Sequence, residues 1–99
     1  MLNIEKNAEN NTLLVKLEGR LDTTTAPQLE AELKDVLDNI ALLIIDMQKL
    51  EYISSAGLRV LLASQKHIST QGEMKIRNAN DVIMEIFEVT GFSDILTIE

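Results

Sequence analysis

A chain of 99 residues, 45% of them hydrophobic and 25% charged, is long enough for one globular domain with a single core and too short for two typical ones. Nine Lys and Arg against 16 Asp and Glu leave a formal charge of −7, the wrong sign for gripping a nucleic-acid backbone or an anionic membrane surface. No cysteine and a single histidine exclude disulfides, thiolate nucleophiles and multi-histidine metal sites.

In chain order, Leu2 and Ile4 predict a short first strand, ended by the polar cluster at 7–11. Leu13, Val15 and Leu17 alternate with polar or outward positions, the period of a half-buried strand that Gly19 closes. A hairpin joins the two strands. Thr25 and Gln28 have capping-box spacing, with Pro27 in the first turn of a helix whose stripe is Leu29, Leu33, Val36, Leu37 and Ile40. Glu30, Glu32, Asp35 and Asp38 lie mostly off that stripe. The continuous apolar run at 41–45 predicts a parallel strand covered on both faces and ended by Asp46. Leu58, Leu61, Leu62 and Ile68 mark a second helix, starting near Ala56 and ended by Gly72. Residues 73–77 alternate as another strand. Asn80 or Asp81 caps a third helix, whose Ile83, Met84, Ile86 and Phe87 face the core, and Gly91 suits its carboxyl end. Ile95, Leu96 and Ile98 give the tail an apolar edge that docks.

The resulting order is β-β-α-β-α-β-α. It predicts an α/β fold, a mixed four- to five-stranded sheet packed with helices, in one domain over 1–99. The amino terminus lacks the basic start and apolar stretch of a secretion signal. The apolar run at 40–45 is far below the ~20 residues of a membrane span. A soluble, cytoplasmic domain is expected.

Functional groups of open α/β sheets gather beyond the carboxyl ends of the strands. There the chain places Ser54-Ser55-Ala56-Gly57-Leu58 directly before a helix. Either serine suits the N-cap, accepting a bond from a free amide of the first turn. A serine at a helix start is also a favourable place for a phosphate, which adds about −1.5 to −2 charge without breaking the fold.

The segments Gly19-Arg20-Leu21-Asp22, Ala26-Pro27-Gln28-Leu29, Leu43-Ile44-Ile45-Asp46 and above all Tyr52-Ile53-Ser54-Ser55-Ala56-Gly57-Leu58 resemble the STAS domain of bacterial anti-sigma factor antagonists. The similarity continues through Thr90-Gly91-Phe92. The resemblance implies a phosphorylation-controlled partner switch. The unphosphorylated antagonist binds an anti-sigma factor, itself a serine kinase of the GHKL type, and a sigma factor is released. Phosphorylation at the helix start abolishes binding, and a PP2C-type phosphatase restores it. By position the acceptor resembles Ser55, with Ser54 as the alternative, because many antagonists carry an aspartate where this chain has Ser54. Asp22 matches a loop position beside the phosphosite, and Asp46 matches the aspartate closing the central strand. Topology and resemblance together place the partner surface on Asp22 and Thr23 of the 19–25 loop, on Ser54, Ala56 and Gly57, and on Arg59 of the second helix. The same family also supplies constitutive adaptor subunits of transporters and stress-signalling complexes, which is the alternative reading.

Other chemistries fit less well. His67 lies about ten residues into the second helix, roughly 15 Å from its start, too far to activate Ser54 or Ser55. No nucleophile elbow and no phosphate-cradling glycine motif occurs. Acidic residues without loop spacing for calcium read as solvated helix faces. No enzyme activity, cofactor or metal is expected.

Overall fold

The computed structural model describes residues 1–34 and 36–99. Its elements are β1 (Leu2–Glu9), β2 (Thr12–Leu21), α1 (Ala26–Lys34), β3 (Leu42–Ile53), α2 (Ser55–Ile68), β4 (Glu73–Arg77) and α3 (Asp81–Thr90), with short 3-10 turns at Leu37–Asn39 and Phe92–Asp94. The expected β-β-α-β-α-β-α order is the one found, in a four-stranded sheet ordered β1-β2-β3-β4. β1 pairs antiparallel with β2, while β2, β3 and β4 are parallel, so the sheet is mixed. The tail docks through buried Leu96, and Ile98 makes a single bridge to Ile76 rather than a fifth strand. Among the described residues no helix is long and apolar enough to cross a membrane.

The crossovers through α1 and α2 step the same way across the sheet, and right-handed connections therefore put both helices on one face. The two helices pack against each other there. Leu17, Leu29, Leu43, Ile45, Leu61, Ile76, Ile83 and Phe87 join in one core. Each such side chain, fully buried, contributes roughly 1.5–3 kcal/mol before entropy is counted.

The expectation that β3 is covered on both faces is corrected. Leu43, Ile45 and Met47 are fully buried, whereas the alternating Leu42 and Asp46 are half-buried and Gln48 is exposed. Ile44 is sheltered but stands outside the core cluster. Its register neighbours are Leu14 on β2 and Lys75 on β4, and a lysine stem covers apolar surface without a helix above it.

Several boundaries also differ from the sequence reading. β1 runs on through the polar residues to Glu9, because each backbone position to that point has a ladder partner on β2. The turn is made by Asn10 and Asn11, with Asn10 at φ 56°, a conformation asparagine tolerates. β2 passes through Gly19, at φ 105°, and ends at Leu21. α1 is described over Ala26–Lys34; Leu37 and Ile40 complete the buried stripe from the 3-10 turn at Leu37–Asn39 and the residue after it. The Gln71 side-chain amide holds that segment by donating to the Leu37 and Ile40 carbonyls. Asp35, expected among the acidic residues off the stripe, lies outside the described residues. α2 ends at Ile68, and Gly72 instead lies where the backbone of Ala41 comes too close for any Cβ. Asn80 caps α3 by accepting from Ile83 N, and Gly91 closes it at φ 83°.

Candidate functional site

The carboxyl ends of β2 and β3 lie side by side, with Leu21 in register with Ile53. Ser54 N donates to Leu21 O at 2.9 Å, tying the start of α2 to the end of β2. Gly57 makes this closeness possible. A Cβ there would stand 2.7 Å from Leu21 Cγ and 3.1 Å from Leu21 O.

Of the two serines, Ser54 is the N-cap. Its φ of −97° and ψ of 175° are extended, and its hydroxyl accepts from Gly57 N at 3.4 Å. Ser55 is the first residue of α2 and is exposed. Asp22, directly after β2, organises the adjoining loop. Its Oδ1 accepts from Thr24 Oγ1 at 2.8 Å, Thr24 N at 3.0 Å and Thr25 N at 3.1 Å. The Thr24 hydroxyl, joined by the Thr25 and Thr24 amides, holds the carboxyl below the ordinary aspartate range, against an opposing effect of partial burial. This sign dictates a pH response. The contribution is complete above the ordinary aspartate value and is lost as pH falls through the lower, folded value. A carboxyl-carbon NMR titration of Asp22 is expected to have its midpoint below the ordinary range, with the Thr24 and Thr25 amide signals moving in step. Asp22→Asn is expected to leave those amides insensitive to pH across that window.

The expected Thr25–Gln28 capping box is not formed. Thr25 Oγ1 instead donates to Arg20 O at 2.8 Å and accepts from Asp22 N at 2.8 Å, so the threonine fastens the loop rather than the helix. The Gln28 amide donates to Leu2 O at 3.1 Å.

Thr23, Ala56 and Arg59 line a shallow groove of about 380 Å³ between α1 and α2, together with Glu30 of α1 and the apolar Pro27, Val60 and Ala63. Asp22, Thr23, Ser54, Ser55, Ala56, Gly57 and Arg59, all singled out from the sequence, thus come together at one end of the sheet and the adjoining helix pair. Arg20 and Tyr52, which the sequence reading held only as members of the 19–25 loop and the 52–57 segment, join them as a pair. The Arg20 guanidinium lies 4.6 Å from the centre of the Tyr52 ring and its Nε is 3.9 Å from Asp22 Oδ2. Their pairing follows from strand register, Arg20 opposite Tyr52, which the sequence hides because the strand is bulged there.

Asp46 does not close the central strand. β3 continues to Ile53, and Asp46 supports its irregular middle: Oδ1 accepts from Gln48 N at 2.9 Å, and Oδ2 from Asn78 Nδ2 at 3.1 Å. Two register shifts against β2 each insert one extra residue into β3, so Met47, Leu50 and Ile53 turn inward at every third position. The second half of β3 is thereby re-aimed, and it is this half that delivers Ser54 and Ser55. His67 stands in the last turn of α2, paired with Asp38 Oδ1 at 2.7 Å. It is a surface residue at the far end of the helix from the serines.

The chain is similar to BtrV of Bordetella bronchiseptica, assigned as an anti-sigma factor antagonist, with 38% identity over 88 residues covering 87% of this chain and 76% of that protein. Among solved structures it superimposes on an anti-sigma factor antagonist from Mycobacterium paratuberculosis with a TM-score of 0.89 at 21% identity, covering 99% of this chain and 85% of the other. The fold also matches the Bacillus cell fate determinant SpoIIAA in its phosphorylated form, at a TM-score of 0.75 and 17% identity over 100% of this chain and 91% of that one. The STAS domain model matches residues 3–99, and the chain belongs to the STAS domain family.

Proposed function

We propose that this chain is a partner-switching regulator: unphosphorylated, it docks onto an anti-sigma factor that is a GHKL-type serine kinase and so releases a sigma factor, and phosphate on Ser55 ends the docking. A PP2C-type phosphatase resets the cycle. The work is docking in the cytoplasm, and the phosphoryl chemistry belongs to the partners. The docking surface combines Asp22 and Thr23 with Ser54, Ala56, Gly57 and Arg59.

The observation that carries this reading is the division of labour between the serines. Ser54 is committed as the cap of α2, while Ser55 is exposed at the first helical position with no side-chain hydrogen bond among the described residues. An acceptor must present its hydroxyl to a kinase, and Ser55 does so without unfolding the turn. A dianion there faces the positive end of the helix, so the host fold tolerates it and the change is felt by the partner.

Incubation with the cognate kinase and ATP, followed by peptide mass spectrometry, is expected to place one phosphate on Ser55. Ser55→Ala abolishes incorporation. Ser54→Ala retains it and lowers stability by about 0.5 kcal/mol, the small end of the N-cap range, because the cap bond is long. Phosphate found on Ser54 or elsewhere would overturn the assignment.

A further inference from the structure

Ser55 and Arg59 are four residues apart on α2, and both are exposed. Residues at this spacing are surface neighbours, with Cβ atoms about 5–6 Å apart. Helical side chains lean toward the amino terminus, so a long side chain at residue 59 has the turn that begins at Ser55 within its reach. Arg59 has no ion-pair partner among the described residues. The other two arginines are engaged, Arg20 by Asp22 and Tyr52 and Arg77 by Glu99. The next basic residue on α2 is Lys66, in its last turn. In a chain of net charge −7, an unengaged guanidinium thus stands one turn from the exposed serine.

We propose that Arg59 is the intramolecular partner of a phosphate on Ser55, a pairing that rests on the reading of Ser55 as the acceptor. In the unmodified chain Arg59 lines the groove with Thr23, Ala56 and Glu30, and forms no ion pair among the described residues. Once the phosphate is present, the planar fork of the guanidinium folds onto its oxygens, the geometry for which arginine is better suited than lysine. One modification therefore changes the docking surface twice: it adds a dianion, and it withdraws the cation that a partner carboxylate would meet.

The test installs phosphoserine at position 55 during translation, so that no kinase is needed. The second ionisation of the phosphate is then followed by phosphorus NMR in the otherwise natural chain, in Arg59→Gln and in Arg59→Lys. With Arg59 present the midpoint is expected to lie about 0.2–0.4 of a pKa unit below that of Arg59→Gln, with Arg59→Lys between them. The Arg59 Nε–H signal is expected to shift with the same midpoint. The same phosphate titration in the natural chain and in Arg59→Gln would overturn the pairing. Failure of the acceptor assignment shows separately, as a kinase that labels another residue.

Discussion

With the proposed switch, Ser55→Asp is expected to lower affinity for the anti-sigma kinase by about 100-fold or more, while Ser55→Ala is expected to bind as the unmodified chain does. A carboxylate at the exposed first position of α2 would lie, on the proposed docking surface, where a partner closes over the turn. Like charges brought together at an interface are opposed by several kcal/mol, and about 2.7 kcal/mol already gives a factor of 100. Alanine removes only a hydroxyl that caps nothing, since Ser54 holds that role. Both variants keep the fold, because the site is exposed and a helix start accepts negative charge. Titration calorimetry against the kinase, with circular dichroism as the control, reads the result. Equal affinity of the two variants contradicts a charge-operated switch.

Gly57→Ala destabilises the chain by about 1–2 kcal/mol and weakens partner binding as well. Two effects oppose each other here. Alanine is favoured over glycine inside a helix by about 1 kcal/mol. Against this, the new methyl would stand 2.7 Å from Leu21 Cγ, 3.0 Å from Leu21 Cδ2 and 3.1 Å from Leu21 O. Leu21 is itself fully buried and has nowhere to retreat, so overpacking of up to about 3 kcal/mol prevails. Relief comes from pushing the first turn of α2 away from the end of β2, which stretches the Ser54–Leu21 bond and separates Ser55 from the Asp22 loop. Urea unfolding measures the loss of stability, and the same calorimetric titration measures the loss of affinity. A variant more stable than the parent would show that helix propensity, not close packing, governs this position.

How far the sequence leads depends on how regular each element is. The faces of α2 and α3 and the strand β4 follow simple periods and are legible as written, whereas the apolar run at 41–45 announces a strand without showing that only one of its faces is fully covered. Residues 47–53 are not legible, because their buried members Met47, Leu50 and Ile53 recur every third position, a period of neither strand nor helix. Two bulges produce that spacing, and no local signal distinguishes them from a loop. β1 misleads for a different reason: as an edge strand it buries little beyond Leu2, so its polar residues look like a turn although the ladder to β2 continues. The Ser54–Gly57 motif is legible because small residues and hydroxyls at a helix start have a direct physical meaning. Which serine caps was open from spacing alone and is decided only by the backbone, which places Ser54 in extended conformation. The hydroxyl network around Asp22 and the Arg20–Tyr52 pair depend on two strand ends meeting, which spacing does not reveal.

Phosphate on Ser55 is expected, by itself, to turn docking off. Affinity for the cognate anti-sigma kinase, measured by calorimetry for the unmodified chain and for the chain carrying phosphoserine at position 55, tests it most directly. The unmodified chain is expected to bind at least about 100-fold more tightly. Equal affinity for both forms would contradict it and favour a constitutive adaptor.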